Sequence, residues 1–133
     1  MRVVARRREA YTHEVEIEGG HTIVIDEPPE AGGNDEGPSP TRAAAAALAA
    51  CTAITCEMYA ARKGWELGKL EAQVDVEYGE NSSLEELAVT LRVPEALDAE
   101  QQDRLLVIAS KCPLHRALTG ATRVSIADTI ETG

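Results

Sequence analysis

Two stretches of the chain alternate apolar and polar residues, which is the pattern of a β-strand with one buried face. The apolar positions are Leu70, Ala72, Val74, Val76 and Tyr78 in the first stretch, and Leu87, Val89, Leu91 and Val93 in the second. Residues Val3–Asp26 are rich in β-branched side chains and are broken by Gly19-Gly20. We therefore predict a β-meander at the start of the chain and, later, a hairpin whose loop lies at Tyr78–Glu86.

Residues Pro40–Lys63 carry the signals of a long helix. Ser39 is a favourable N-cap, Pro40 stands in the first turn, where its missing N–H costs nothing, and Gly64 follows the last turn. The first half is nearly all alanine, so the helix is apolar around most of its circumference. We expect such a helix to lie buried, with small side chains that allow close approach by a sheet or a partner helix.

A second helix is predicted after Pro94, with Asp98 as its N-cap and Gln101 at the capping-box position. Its apolar stripe is Leu105, Ile108, Ala109 and Cys112. Pro113 fits poorly inside a helix, so Cys112 is expected at the last turn or at a kink, facing the core. A final strand is predicted from Val124, Ser125, Ile126 and Ile130. The order β-β-β-α-β-β-α-β indicates an α+β fold with helices on one face of an antiparallel sheet.

The segment between the meander and the long helix, Glu27–Pro40, contains four prolines and three glycines. Such a segment forms neither a helix nor a central strand. Loops of this length are uncommon in a compact domain and are often functional. We interpret it as a loop, ordered or disordered, that forms a wall or lid of a site.

Composition limits the classes of function. The chain has 133 residues, enough for one domain with its own core, so we expect a single domain over residues 1–133. A formal net charge of -10 repels nucleic acid and anionic lipid, and we expect neither as a partner. We find no start that resembles a signal peptide and no apolar run long enough to span a bilayer, which favours a cytoplasmic protein with reduced thiols.

The three cysteines form no Cys-x-x-Cys pair, and His13 and His21 lack metal-ligand spacing, so we expect no metal and no cofactor. Cys51 and Cys112 lie far apart in sequence, each on an apolar helical face. Taken singly, each fits a small buried hydrophobe. As a pair they suggest redox chemistry.

Several segments of the chain, in this order, resemble one known family. They are Gly32-Gly33-x-Asp35-x-Gly37-Pro38-Ser39-Pro40, the alanine-rich helix, Cys51-Thr52-Ala53-Ile54-Thr55, Met58-Tyr59-Ala60-x-Arg62-Lys63-Gly64-Trp65 and Lys111-Cys112-Pro113-Leu114-His115-Arg116. The chain resembles the OsmC/Ohr family, the osmotically inducible and organic hydroperoxide resistance thiol peroxidases, in its OsmC-like subgroup. The resemblance spans nearly the whole chain and implies one OsmC-like domain.

The resemblance also implies an assembly and an activity. The assembly is an intertwined homodimer, with antiparallel sheets wrapped around long central helices and two sites near the dimer interface. The activity is thiol-dependent reduction of organic hydroperoxides, in which the Cys51 thiolate becomes a sulfenic acid and Cys112 then forms a disulfide with it. An external dithiol reduces that disulfide.

The groups that activate the thiol depart from the family pattern. Family peroxidases pair an arginine of the N-terminal sheet with a glutamate ten residues before the reactive cysteine. Here that position is Thr41, followed by Arg42. Our candidates for a catalytic arginine are Arg8, from the cluster Arg6–Arg8, and Arg42, although the cluster fits a solvated edge strand equally well. Without the carboxylate we expect a mobile arginine, low activity and still a lowered pKa of Cys51.

The remaining polar and aromatic residues have simpler interpretations. Cys56 is assigned to packing, Trp65 to the core or a dimer contact, and Asp35 to a turn. His115 is either a half-exposed polar residue or a group that holds a proton near Cys112. Two alternatives to a peroxidase stay open: a weakly active or non-catalytic OsmC-like dimer that binds a hydrophobic ligand in its interface pocket, and a structural dimer whose cysteines pack.

Overall fold

The computed structural model describes residues 1–127 and 129–133. Its strands are β1 (Val3–Glu9), β2 (Thr12–Ile17), β3 (His21–Ile25), β4 (Glu71–Tyr78) and β5 (Leu84–Arg92), and its helices are α1 (Pro40–Lys63), α2 (Ala99–Ala109) and α3 (Pro113–Arg116). Single turns of 3-10 or π helix lie at Pro29–Ala31, Glu80–Ser82 and Ala117–Ala121. The fold is α+β with antiparallel sheets, as the sequence predicts.

The chain forms two compact units. The first comprises Met1–Ala47 and Val74–Val89, and the second comprises Leu48–Gln73 and Thr90–Gly133. Helix α1 and strands β4 and β5 contribute residues to both units. The assignment of residues 1–133 to a single domain stays a prediction.

The first unit contains the predicted meander. Its strands follow the order β1-β2-β3, and both pairs are antiparallel. Between β1 and β2 the register changes from Arg7 opposite His13 to Glu9 opposite Thr12, so that Arg8 occupies a β-bulge. A bulge bends its strand and re-aims the side chain of the extra residue.

Helix α1 has the predicted bounds, Pro40–Lys63, but two expectations about it are wrong: that the chain has no apolar run long enough to span a bilayer, and that this helix lies buried within the chain. By length and composition it is apolar enough to cross a bilayer. A single helix of this kind is weak evidence for a membrane protein, because core helices of soluble proteins have the same composition. Only 28 % of its apolar window is buried within the chain, so the helix offers apolar surface to a partner.

The hairpin of β4 and β5 has a shorter loop than predicted. Strand β5 begins at Leu84, three positions before the expected Leu87. The main-chain N–H of Gly79 donates to the Ser83 carbonyl at 2.9 Å, which closes the turn early. Asn81 supports this turn with a left-handed φ of 56°, a conformation that asparagine tolerates.

The core of the second unit joins α1 to α2. Its buried members are Cys56, Ala60, Leu67 and Leu105. Trp65 packs against this cluster and meets the Tyr59 ring edge-on, with 5.5 Å between ring centroids. The assignment of Cys56 to packing is confirmed, and of the two interpretations of Trp65, a core or a dimer contact, its packing against this cluster supports the core.

Helix α2 begins at its predicted capping box. The Asp98 carboxylate accepts from the Gln101 N–H at 2.8 Å, and the Gln101 side chain accepts from the Asp98 N–H at 3.0 Å. The helix ends at Ala109 and α3 starts at Pro113, so the expected break lies between them.

The predicted final strand is wrong for the described part of the C-terminal segment, residues 122–127 and 129–133. Val124, Ile126 and Ile130 are 87, 95 and 88 % exposed, and the backbone forms no strand. A strand needs a neighbour to take its main-chain hydrogen bonds. None of the five described strands pairs with this segment. Its β-branched residues alone are therefore not enough to form a strand.

Candidate functional site

Cys51 and Cys112 come together in the second unit. Their Sγ atoms lie 2.9 Å apart and share a hydrogen bond, although 61 positions separate the residues. Both thiols are free, and the separation exceeds the ~2.05 Å of a disulfide bond. Cys112 is fully buried, whereas Cys51 is partly exposed. One thiol of the pair is therefore accessible and the other is shielded.

The break between α2 and α3 places Cys112. The residue is the N-cap of α3 with a non-helical backbone, and its Sγ accepts a hydrogen bond from the main-chain N–H of His115 at 3.4 Å. Pro113 occupies the first turn of α3, where a missing N–H removes no helical hydrogen bond. The sequence Cys-Pro thus starts α3, and the Cys112 thiol is buried.

The pKa values of the two thiols are shifted in opposite directions. Burial raises the pKa of Cys51, and the hydrogen bond with Cys112 raises it further. Burial also acts to raise the pKa of Cys112, but the hydrogen bond with Cys51 and the N–H groups of His115 and Leu114 outweigh it and lower that pKa. The expected lowering of the Cys51 pKa is wrong, because burial and the second thiol dominate its surroundings. The pair favours a thiolate on Cys112.

Arg8 lies in the first unit, where the β1 bulge presents it to two carboxylates. Its guanidinium donates to Glu14 at 2.5 Å and to Glu36 at 3.0 Å. The hydrogen bond and charge of Glu14, with a smaller contribution from Glu36, raise the pKa of Arg8. The expectation that the arginine lacks a carboxylate partner is therefore wrong for Arg8.

The other arginines of the cluster also bind within the N-terminal sheet. Arg6 pairs with Glu16 of the neighbouring strand. The Arg7 Nε donates to the carbonyl of Ala10 at 2.8 Å. All three arginines of the cluster are exposed, as in the solvated edge strand that the sequence also allows.

Glu36 is held in place by a buried carboxylate at the start of its loop. The donors to Asp26 are the Thr12 hydroxyl and the main-chain N–H groups of Glu27, Asn34 and Glu36, at 2.6, 2.7, 3.3 and 3.2 Å. Burial acts to raise the pKa of Asp26, but these hydrogen bonds outweigh it and lower that pKa. Gly33 approaches so closely that a Cβ there would lie 2.7 Å from the Asp26 Oδ1. The loop is therefore ordered around Asp26.

Arg42 lies in the first turn of α1, beside a cavity of about 360 Å³ in the first unit. The cavity is also lined by Thr41 and Tyr78, whose hydroxyl groups are 3.1 Å apart and hydrogen-bonded. Glu27 of the proline-rich loop contributes a further part of the wall. Thr41, at the position of the family glutamate, thus binds a tyrosine here.

His115 acts on the thiol pair through its backbone. The described contact between His115 and Cys112 is the main-chain N–H bond, and the hypothesis that its imidazole holds a proton stays a prediction. In residues 1–127 and 129–133, no group of three or more His, Cys, Asp or Glu side chains could hold a metal ion.

Sequence reasoning missed the residues around Arg8. Glu14 is one of several alternating acidic residues in β2, and Glu36 lies among the turn residues of a loop, so neither stands out in the sequence. Two signals point to them in retrospect: Glu14 faces β1 across a tight turn, and Asp26 ends a strand next to a glycine-rich loop, where a carboxylate can bind free N–H groups.

The chain belongs to the OsmC-like protein family, whose model matches residues 32–127. No curated protein sequence matches the chain significantly. Three solved structures show how far the similarity extends. An OsmC-like protein from Mycoplasma pneumoniae is 23% identical, with a TM-score of 0.74, 90% of this chain covered and 86% of that one. An organic hydroperoxide resistance protein OsmC from Legionella pneumophila is 21% identical, with a TM-score of 0.62 and 90% of each chain covered. The organic hydroperoxide resistance protein OhrB of Bacillus subtilis is 28% identical, with a TM-score of 0.58 and 90% of each chain covered.

Proposed function

We propose that this protein is a thiol-dependent peroxidase that reduces organic hydroperoxides through Cys51 and Cys112. The observation that carries the proposal is the contact between their Sγ atoms, 2.9 Å apart with one thiol accessible. Membership of the OsmC-like family also supports the proposal, because two solved structures of similar fold are of organic hydroperoxide resistance proteins.

The proposed chemistry needs both sulfur atoms. The Cys51 thiolate attacks the distal oxygen of the hydroperoxide, the O–O bond breaks, and the products are a Cys51 sulfenic acid and an alcohol. The sulfur of Cys112 then attacks the sulfenic sulfur, which releases water and leaves a disulfide. An external dithiol reduces the disulfide and restores both thiols. Contact between the sulfurs in the reduced state supports this order, since little movement is needed to form the bond.

Arg8 remains our proposal for the arginine that orients the peroxide, and Arg42 the second choice. Arg8 is supported by its two carboxylate partners, Glu14 and Glu36. Arg42 is supported by its place at a cavity wall.

The homodimer belongs to the same proposal. Apolar side chains stand exposed on α1 and α2 in the second unit, where Met58 and Leu106 are 61 and 62 % exposed. Exposed apolar surface of this kind marks protein interfaces. The dimer would cover it, and we place the dimer in the cytoplasm, where dithiol reductants are available.

A thiol count before and after one equivalent of cumene hydroperoxide tests the proposal. We expect two of the three thiols to disappear per chain, with a mass loss of about two hydrogens. Cys51→Ser should abolish turnover, and Cys112→Ser should allow one oxidation per site without recycling. Cys56→Ala serves as the control, because Cys56 is a core residue. Unchanged thiols, or full activity of Cys51→Ser, would favour the ligand-binding or structural dimer instead.

Substrate preference is part of the test. The alanine-rich α1 carries Cys51, so a substrate that reaches this thiol meets apolar side chains. Burial of apolar area is worth ~25 cal/mol per Å², which rewards bulky hydroperoxides. We expect cumene hydroperoxide to react faster than hydrogen peroxide, and the reverse order would contradict an apolar site.

A further inference from the structure

We propose that Cys112 is the base that deprotonates Cys51 and the acid that protonates the departing alkoxide, before it serves as the resolving thiol. This inference rests on the proposed peroxidase function. It gives the buried cysteine a catalytic role in the first chemical step, where a purely resolving cysteine has none.

The first support is the geometry of the pair. The two Sγ atoms are in hydrogen-bond contact at 2.9 Å, so a proton can pass directly between them. A general base must lie within such reach of the proton that it removes. Thr55 contributes a side-chain hydrogen bond to Cys51, but a threonine hydroxyl is far too weak a base to take a thiol proton.

The second support is the set of donors around Cys112. Its Sγ accepts the main-chain N–H of His115 at 3.4 Å, and the Thr52 side chain also stabilises its charged form. The Leu114 N–H stabilises the charged form of both thiols. Hydrogen bonds to a charged group favour that charged form. When the pair loses a proton, these contacts favour the negative charge on the shielded sulfur, and the accessible sulfur keeps its proton until substrate arrives.

The steps balance in protons and electrons. The Cys112 thiolate takes the Cys51 proton, and the Cys51 thiolate attacks the distal peroxide oxygen, which gives a sulfenic acid and an alkoxide. The Cys112 thiol protonates the alkoxide, so the alcohol leaves and Cys112 is again a thiolate. That thiolate attacks the sulfenic sulfur and expels hydroxide, which leaves the disulfide. The peroxide is reduced by two electrons, and the two sulfurs supply them.

Other titratable groups near the pair are few among the described residues. On α1 they are Cys56 and Glu57, and around α3 they are Lys111, His115 and Arg116. Burial raises the pKa of Cys56 to about 11, and the charge on Cys112 raises it too, so Cys56 stays protonated when the pair ionises. Lys111 and Arg116 are exposed. His115 is partly buried, and His115→Gln, which keeps the main-chain N–H, identifies any contribution of the imidazole to a pH profile.

Thiolate absorbance at 240 nm tests where the charge lies, independently of any activity. In a pH titration we expect Cys51→Ser to form its thiolate at a lower pH than Cys112→Ser does, with Cys56→Ala like the parent. The opposite order, with the thiolate of Cys112→Ser forming at the lower pH, would overturn the proposal.

Single-turnover kinetics test the catalytic role. The first oxidation of Cys51, followed as loss of one equivalent of hydroperoxide in the absence of reductant, should be ~10²-fold slower at pH 7 in Cys112→Ser than in the parent, the lower range for loss of a general base. Its rate should also rise toward higher pH, where Cys51 ionises unaided. An unchanged first-step rate would leave Cys112 as a resolving cysteine only. If the parent protein consumes no hydroperoxide while Cys112 carries the thiolate, the peroxidase proposal fails but the charge assignment stands.

Discussion

Glu36 accepts a hydrogen bond from Arg8 at 3.0 Å, and the main-chain N–H of the same Glu36 binds the buried Asp26 at 3.2 Å. The loop that carries Glu36 is therefore ordered at both its backbone and its side chain. Arg8 of the N-terminal sheet thus has a carboxylate partner, Glu36, that comes from the proline-rich loop. In the family pattern the partner glutamate comes from the helix that follows this loop.

Removal of this carboxylate should affect activity more than stability. We expect Glu36→Gln to lower hydroperoxide turnover, because Arg8 loses a charged partner that orients it. Its free energy of unfolding should stay close to that of the parent, since the pair is solvent-exposed. Glu16→Gln, which removes the partner of Arg6, is the matched control. Equal turnover in both variants would exclude Arg8 from the site.

A glutamate at position 41, where the family pattern has one, should not be needed for activity. The sequence predicts low activity because Thr41 and Arg42 replace the expected carboxylate, and on that basis alone Thr41→Glu, alone or with Arg42→Leu, would give a faster enzyme. Because Arg8 already binds two carboxylates, we now expect Thr41→Glu to bring no gain, and it removes the hydrogen bond to Tyr78. Steady-state rates with cumene hydroperoxide decide the question. A clear acceleration would identify a mobile arginine elsewhere, for which Arg42→Gln is the next variant.

Asp26 should make the stability of the loop depend on acid pH. Its pKa is lower in the folded chain than in the unfolded chain, so the unfolded state binds more protons as the pH falls. The stabilisation is complete above the ordinary carboxyl pKa of ~3.9 and is lost below it. We expect Asp26→Asn to be less stable than the parent at pH 7, with the difference shrinking at pH 3.

Denaturant unfolding at the two pH values measures this effect. Asp35→Asn is a suitable control, because Asp35 is exposed on the same loop and asparagine tolerates its left-handed φ of 53°. If Asp26→Asn and Asp35→Asn lose the same stability at both pH values, the buried carboxylate does not hold the loop.

Cys56 should be chemically inert in the folded protein. It is fully buried, and its pKa is raised to about 11. We expect iodoacetamide at pH 8 to leave Cys56 unmodified in the native state and to modify it on unfolding, as peptide mass spectrometry would show. Cys56→Ser should cost ~1–3 kcal/mol, because a buried hydroxyl would lie too far from the Leu105 carbonyl, 3.9 Å from the present sulfur, to bond it. Rapid native labelling of Cys56 would contradict this.

The dimer should be inseparable from folding. We expect sedimentation to give about twice 14.2 kDa, and dilution to lower the unfolding midpoint rather than release a folded monomer. Met58→Glu should shift the equilibrium toward dissociation and unfolding, since Met58 is exposed apolar surface on α1. Glu57→Gln, one position away and exposed, is the control. A stable monomer of the parent protein would refute the dimer.

Local signals in the sequence predicted local structure well. The bounds of α1 follow from Pro40 and Gly64, and the capping box at Asp98 and Gln101 forms as expected. These signals act between residues a few positions apart, and helical geometry alone determines which of those residues are in contact. The break at Pro113 is of the same kind.

The remaining features depend on contacts between distant residues. Whether Arg8 has a carboxylate depends on where a loop folds, and the sequence does not show that Glu36 returns to β1. The pKa of Cys51 depends on what surrounds its sulfur, and a thiol partner acts in the opposite direction to an arginine. The strand expected from Val124 and Ile126 fails because a strand is defined by its neighbour.

The long separation of Cys51 and Cys112 along the chain has a thermodynamic consequence for the proposed cycle. A bond between their sulfurs would close a loop across 61 positions. In the chain-entropy model, a cross-link over that length stabilises the folded state by about 4 kcal/mol, because the unfolded chain loses conformational freedom. The oxidised protein would then melt at a higher temperature and resist proteolysis longer than the reduced protein. The melting temperature would therefore depend on the redox state of the two cysteines. The protein would be most resistant to degradation in the disulfide form, before the external dithiol reduces it.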